Sequence, residues 1–501
     1  MRVLFVIDEL HQEPLGIGYL AGALKENGHQ GRCHFFGSYK ALSQEITHYQ
    51  PEIVAFSVMT GWEKFYINIA QWVKTNFRTY VIFGGPHPTF SPETLEEYPL
   101  DAICIGEGEA AIVELANRLD QGQSLADIRE IPGIWIKTNG TISRNPVAPL
   151  IEDLDQLAFP DRSIFYCYKQ LGSSGLKTFL AGRGCPYQCS YCFNHAFNNI
   201  YKGKGRPLRY RSVNNLLEEI HQVKDRYPLS LVRFTDDIFI VQEEWLGEFA
   251  ESYRRKIGLP FFCGLRADLV TKNRIRLLKM AGCYSIGLGI ETANEQLRAQ
   301  VLNRKMTNQQ ILDACHLIKR YGIKLNTASI VGIPGSTIED ELETIKLNIE
   351  CGVDYAWASI MHPYPKTAIY QITRQMGIEI DPPDKMERHY LLRTPLQLPN
   401  RHEIDNLHKL LPLIVEFPWL IRFFRRLIQT KSKSLFQLYT LVFGIFELYC
   451  VEFRIFRHSS LMGLIHPQRF YRLIKLSFIG IKKMQPFSKE NTCHRKTETL
   501  R

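Results

Sequence analysis

Three cysteines, Cys185, Cys189 and Cys192, lie within eight residues of one another in the run GRGCPYQCSYCFN at 182–194. Thiolates this close on one loop can each take a different iron of a single [4Fe–4S] cube, and three of them leave the fourth iron open. A small molecule can chelate that iron through an amino and a carboxylate group, so the loop suits chemistry as well as electron relay. Zinc is the competing reading, with His195 as a fourth ligand, but C-x3-C-x2-C departs from the usual knuckle spacings. Downstream, Asp236 and Asp237 end an apolar run, where a carboxylate can accept hydrogen bonds from an ammonium or a ribose hydroxyl. Arg266 can fork onto a carboxylate, and Glu291 closes a nearly continuous apolar run in which a charge needs a dedicated partner. Gly332 and Gly335, flanking Pro334, allow the backbone to turn closely past a flat ligand. Cys263 and Cys283 read as small buried hydrophobes.

The elements that must position these residues are legible around them. The cysteine loop follows the apolar run TFLAG, the first of six with LVRFTD, FFCGLR, SIGLGIE, TASIVGIPG and YAWASIM, separated by helical patterns such as Val213–Asp225 and Thr307–Tyr321. Such repeats over 175–400 predict a partial (β/α)6 barrel with its reactive centre at the C-terminal strand ends. Residues 1–135 have the rhythm of a doubly wound, Rossmann-like parallel sheet, with apolar runs at 3–7, 53–58, 81–85 and 102–106 and helices over Ile17–Asn27 and near 66–76. Gly16, Gly84, Gly85, Gly106 and Gly108 fall in its loops, where an open α/β sheet receives its ligand. Residues 136–174, with their prolines and acidic residues, are expected to be a linker. From 401 to 501 the pattern turns helical, with helices expected over Leu407–Ile428 and Leu435–Phe456, both too interrupted by charge to span a membrane. The fold class is α/β with a helical C-terminal region.

A chain of 501 residues is long enough for two or three cores. Twelve scattered cysteines and an N-terminus without a secretory pattern predict a reducing cytoplasm. The net charge of +10 is concentrated at the end, where residues 401–501 hold 18 Lys or Arg against 7 Asp or Glu. These cations alternate with Phe423, Phe424, Leu427, Phe453, Ile455 and Phe456, so an anionic membrane surface or a lipophilic substrate fits them better than nucleic acid.

With Tyr191 just before its last cysteine, the loop resembles that of the radical S-adenosylmethionine (radical SAM) superfamily. RYRS at 209–212, FTDDIF at 234–239, CGLR at 263–266, AGC at 281–283 leading to GIET at 289–292, and GIPG at 332–335 follow in that family's order. The resemblance implies that Cys185, Cys189 and Cys192 hold a [4Fe–4S] cluster. It further implies that Tyr191, Asp236, Asp237, Arg266, Glu291, Gly332 and Gly335 contact S-adenosylmethionine, Tyr191 near the adenine. Upstream, PLGIGYL at 14–20, PEIV at 51–54, SVMT at 57–60, GGPHPT at 84–89 and GEGE at 106–109 resemble the cobalamin-binding domain of one branch of that superfamily. That branch includes anaerobic magnesium-protoporphyrin ester cyclase and hopanoid methylases. On this likeness Ser57, Thr60, Gly84, Gly85 and Glu107 contact cobalamin. No Asp-x-His-x-x-Gly supplies a lower cobalt ligand, and His87 is a weak substitute. Pro363-Tyr364-Pro365-Lys366-Thr367 stands where relatives show Pro-x-Pro-Gly-Thr.

The function so implied is cleavage of S-adenosylmethionine to a 5′-deoxyadenosyl radical and cobalamin-dependent methylation of an unactivated carbon in a small, lipophilic metabolite. A flavodoxin or ferredoxin would donate the electron, and the C-terminal region would allow peripheral membrane association. Radical cyclisation or oxidative rearrangement of a tetrapyrrole- or lipid-like substrate, tRNA modification, and a cofactor sensor without catalysis are the other readings open to this sequence.

Overall fold

The computed structural model describes residues 1–8, 13–239, 242–382 and 393–456. In Arg2–Ile7 (β1), Val3, Leu4, Phe5 and Val6 are all buried, as only a central strand with both faces covered requires. It pairs in parallel with Gln30–Phe35 (β2) on one side and Ile53–Ser57 (β3) on the other. Tyr80–Gly84 (β4) and Ala102–Cys104 (β5) continue in parallel, and Ile134–Thr138 (β6) and Thr141–Ser143 (β7) add on antiparallel, in the order β2-β1-β3-β4-β5-β6-β7. Alternate side chains divide between two cores. Val3, Phe5, Ile53 and Ala55 meet the helices Leu15–Glu26 and Glu109–Asp120, whereas Leu4, Val6, Val54 and Phe56 meet Tyr39–Tyr49 and Glu63–Asn76. The chain moves outward from β1 to β2 and returns on the far side at β3, and that reversal opens a crevice at the C-terminal strand ends.

The sheet runs further than the sequence predicts. Residues 136–143, expected as linker, belong to β6 and β7, because Ile134 and Ile136 alternate with half-buried Trp135 and Lys137 and so cover one face. The rest of that segment carries two short helices, Ser163–Tyr166 and Lys169–Gly172, whose Ile164, Phe165 and Leu171 join the core shared with the barrel.

Leu176–Phe179 (β8) opens the second sheet, and a short ladder of Gly182–Arg183 (β9) with Arg209–Tyr210 (β10) brackets the cysteine loop. Leu231–Phe234 (β11), Phe261–Leu265 (β12), Cys283–Glu291 (β13), Lys324–Val331 (β14) and Tyr355–Ile360 (β15) complete six parallel strands in sequence order, an open half-barrel. Helix starts are fixed by side chains. Ser212, Thr271, Thr307 and Thr337 each cap the following helix, the last two in reciprocal boxes with Gln310 and Asp340, and each cap contributes about 1 kcal/mol.

Past the barrel, the single helix expected over Leu407–Ile428 is interrupted. Arg401–Glu416 ends at Phe417, a tight turn covers Pro418–Phe423, and Phe424–Ile428 resumes. Pro418 has no N–H to donate and biases the residue before it away from helix, as the Phe417 angles (φ −121°, ψ 79°) record. The second expected helix is Lys433–Tyr449, continued by a wide turn over Cys450–Ile455. Residues 457–501, with much of the basic tail, lie outside the described residues. The described chain ends at the N-terminal ends of the barrel strands: Ser285 Oγ donates to the Ile455 carbonyl at 2.8 Å, and the Phe456 ring lies 5.3 Å from Phe262. Among the described residues no helix is long and apolar enough to cross a membrane.

Candidate functional site

The cysteine loop leaves β8 under restraint from both sides. Asp236, just past β11, accepts the backbone N–H groups of Ala181 and Gly182 on Oδ1, at 2.9 and 2.6 Å. Its Oδ2 is buried without a partner, and burial pushes its carboxyl up to about 7. Asp237 beside it is exposed. From the other side, residues 301–304 clamp the loop. Ser190 N donates to the Leu302 carbonyl at 3.1 Å, Ser190 Oγ donates to that of Val301, and Asn303 Nδ2 donates to that of Gln188 at 2.7 Å.

Arg304 follows this clamp and ties three predicted residues together. Its Nη1 lies 3.3 Å from Tyr191 Oη, 3.6 Å from Glu291 Oε1 and 3.9 Å from Cys189 Sγ, while Nη2 donates to the Gly289 carbonyl at 2.9 Å. Tyr191 Oη in turn donates to Glu291 Oε1 at 2.9 Å. Burial, reinforced by the Glu291 charge, holds the Tyr191 hydroxyl protonated far above its ordinary range. Glu291 sits at φ +66°, where the register of β13 against β14 slips. A Cβ at Gly289 would stand 2.4 Å from Glu291 Oε1 and 3.2 Å from Arg304 Nη2, so only glycine leaves room for the pair. Sequence reasoning missed Arg304, since in Leu302-Asn303-Arg304-Lys305 it reads as one of two ordinary loop cations.

Arg266 is also beside the cysteines, although its fork is already engaged. It donates to both oxygens of Asp268 at 3.0 and 2.8 Å, lies 3.6 Å over the Tyr187 ring, and points Nη1 at Cys189 Sγ from 3.6 Å. Two guanidiniums therefore flank Cys189, where they would offset negative charge on an iron-bound sulfur. Burial acts the other way at Cys185 and Cys192, raising the latter to about 11; bound iron would hold both as thiolates.

The donor set fits a cluster better than a single ion. Among the described residues no three His, Cys, Asp or Glu side chains converge on one metal position. Mononuclear zinc needs that convergence, whereas in a cube each thiolate takes its own iron. His195 Nδ1 lies 2.6 Å from the Cys192 carbonyl, held by backbone. Gly332 and Gly335 both have positive φ, +72° and +85°. A Cβ at Gly332 would meet Ile404 at 2.9 Å, so the tight approach there is to the helix Arg401–Glu416. Gly332 N donates to Glu341 Oε1 at 2.9 Å, and burial raises that carboxyl to about 7.

The crevice of the first sheet faces this loop. Ser57 is exposed at the end of β3, Gly84 ends β4 and Gly85 follows it. Gly85 adopts φ +92°, and a Cβ there would meet Ser57 Oγ and Val58 N at 3.0 Å. Thr60 Oγ1 lies 3.3 Å from His87 Nδ1 and Thr94 Oγ1 3.1 Å from His87 Nε2, so both ring nitrogens of this buried imidazole are occupied by protein. Burial also lowers the His87 pKa.

Glu107 has a different partner from the one its motif suggests. Its carboxylate accepts both Nη atoms of Arg209 at 3.1 and 2.8 Å and lies 3.3 Å from Arg183, whose other Nη bonds Glu109 at 2.5 Å. Burial pushes Glu107 up, but these guanidiniums outweigh it and hold the carboxyl below its ordinary value. These ion pairs fasten the first domain to β9 and β10, on either side of the cysteine loop. A ring stack does the same: Phe90 lies 4.6 Å from Phe193, the residue after Cys192.

Comparison with known proteins agrees with this geometry. Residues 2–116 match the B12 binding domain and residues 179–347 the Radical SAM superfamily. An uncharacterised methyltransferase of Pyrococcus horikoshii is 27% identical over 373 residues, 72% of this chain and 78% of its own. An anaerobic magnesium-protoporphyrin IX monomethyl ester cyclase of Rubrivivax gelatinosus is 28% identical over 428 residues, 80% of this chain and 74% of its own. The solved structure of OxsB, a cobalamin-dependent S-adenosylmethionine radical enzyme with aqua-cobalamin bound, shares the fold at a TM-score of 0.65 and 17% identity, covering 95% of this chain and 79% of that one. The Radical SAM domain implies a [4Fe–4S] cluster and S-adenosylmethionine, and the B12 binding domain implies cobalamin. The chain therefore carries a B12 binding domain ahead of a Radical SAM domain.

Proposed function

We propose that this enzyme methylates an unactivated carbon of a small, lipophilic metabolite between its two cofactor faces. The observation that carries this reading is the fastening of the crevice of the first sheet to the cysteine loop by Glu107, Arg209, Arg183 and Glu109 and by the Phe90–Phe193 stack. When bound, the cluster supplies the electron that splits S-adenosylmethionine to a 5′-deoxyadenosyl radical, and cobalamin supplies the methyl group.

Cys185, Cys189 and Cys192 hold the cluster, with Arg266 and Arg304 offsetting thiolate charge at Cys189. Asp236 offers its unpartnered Oδ2, and Glu291 its carboxylate, to the polar groups of S-adenosylmethionine. On the same reading Tyr191, Asp237, Arg266, Gly332 and Gly335 complete the contacts to S-adenosylmethionine. Ser57, Thr60, Gly84 and Gly85 receive cobalamin, while Glu107 locks the domains together. His87, with both ring nitrogens held by Thr60 and Thr94, would not be free to ligate cobalt.

The lipophilic part of the reading is supported by Leu435, Leu438, Val442, Ile445 and Tyr449, each at least 40% exposed, which recur at helical spacing along Lys433–Tyr449. They fit peripheral attachment at the cytoplasmic face of a membrane, which co-sedimentation with anionic liposomes would detect. Flavodoxin or ferredoxin is the proposed electron donor. Radical cyclisation has the support of the likeness to the Rubrivivax cyclase, and product mass separates the two outcomes.

The test is anaerobic reconstitution with iron, sulfide and hydroxocobalamin, then dithionite and S-adenosylmethionine. The wild-type chain is expected to bind one corrin and release 5′-deoxyadenosine, and Cys189→Ala to release none. Deoxyadenosine without bound corrin would overturn methyl transfer, and no deoxyadenosine from a fully loaded cluster would overturn the enzyme reading.

A further inference from the structure

We propose that the loop after β15 forms one wall of the substrate site and selects an apolar, ring-bearing molecule that carries an anionic group, with Lys366 meeting the anion. This rests on the reading that substrate binds between the two cofactor faces. The wall begins at Phe193, whose ring is stacked on Phe90 at 4.6 Å and tilted against Tyr364 at 5.5 Å, with the His362 ring 6.0 Å beyond Tyr364. Phe193 and Tyr364 are half-buried where the first domain, the cysteine loop and the last barrel strand meet. Half-buried rings in such a place gain by packing against a flat apolar ligand.

The loop is held firmly. Thr367 N and Oγ1 both donate to the Tyr364 carbonyl, at 3.2 and 2.6 Å, and Ile369 N donates to the Ser190 carbonyl of the cysteine loop at 2.9 Å. Inside this turn Lys366 adopts φ +70°, a conformation that favours glycine. Its side chain is exposed, and among the described residues it has no ion-pair partner. A turn of this shape is built with less strain by glycine, and no packing or salt bridge of the lysine offsets the strain. What the lysine adds is a cation two residues from Tyr364, on a loop bonded directly to the cysteine loop. His362 adds a buried Nε2 without a partner, on an imidazole that burial keeps neutral down to about 4.

Equilibrium dialysis of the reconstituted holoenzyme against pyrenebutyrate and its uncharged counterpart pyrenebutanol tests the proposal. The wild-type protein is expected to hold pyrenebutyrate about tenfold more tightly. Lys366→Met and Lys366→Gly should each abolish that preference, with Lys366→Gly melting no lower than wild type because its turn is relaxed. Tyr364→Leu should weaken both probes several-fold. Equal affinity for the two probes, no binding of either, or a preference that survives in Lys366→Gly would overturn the proposal. Dialysis reads the wall and not the chemistry: an intact preference in a protein that transfers no methyl group sinks only the methyltransferase reading, and methyl transfer without the preference sinks only this one.

Discussion

At the cluster face, polar side chains are gripped by partners far along the chain. Tyr191 meets Glu291 and Arg304, which lie 100 and 113 residues away, and Asp236 holds the loop start across 54 and 55 residues. At the proposed cobalamin face, Ser57, Gly84 and Gly85 offer backbone and small groups, while Glu107 and His87 are engaged by other side chains of the protein. The contrast follows from what each face must do. A loop carrying three thiolates needs charge compensation and a fixed shape, and side-chain networks supply both. A broad ligand lying across strand ends needs room and close backbone approach, which small residues supply.

Breaking the cluster side should have the largest effect. Arg304→Ala leaves Glu291 and Tyr191 buried without their cation and is expected to cost about 3–5 kcal/mol, read by chemical denaturation, with lower iron retention beside it. Glu341, behind the Gly332 turn, is expected to give the next largest signal. Burial raises its pKa from 4.5 to about 7, so the folded state keeps the proton after the unfolded chain has lost it. Stability therefore falls as pH rises through that window and levels off above it. Glu341→Gln should remove this slope, a difference of about 3 kcal/mol between its ends, measured by denaturation across pH.

Smaller effects sharpen the contrast from the other side. Glu107→Gln removes the charge opposite Arg209, whose side chain is 1% exposed, and should cost about 2 kcal/mol. Calorimetry is expected to show the first domain melting apart from the barrel. Ser57→Ala, at an exposed position, should change stability by less than about 0.5 kcal/mol and lower corrin retention measurably. A Ser57→Ala protein as unstable as Arg304→Ala would erase the distinction between the faces.

The strands and the cysteine loop were legible because their signals are local. The six barrel runs are apolar and evenly spaced, and three cysteines on one loop need no tertiary knowledge to be read. β2 escaped because QGRCHF is buried only in its second half, at the edge of the sheet. The clamp by Val301, Leu302 and Asn303 and the knot at Arg304 were illegible, since their partners on the cysteine loop lie more than a hundred residues away. Motif likeness singled out Glu107 and Arg266, yet it could not foresee that Arg209 and Asp268 would engage them. The break at Phe417 was written in Pro418, and the apolar run around that proline outweighed it.

That the two faces form one site is tested most directly by electron paramagnetic resonance of the holoenzyme, reduced so that cobalt and cluster are both paramagnetic. Faces held together predict magnetic coupling, seen as splitting or fast relaxation of the cobalt signal, and weaker coupling in Glu107→Gln. Cobalt and cluster spectra that simply add, in a protein loaded with both, would contradict it.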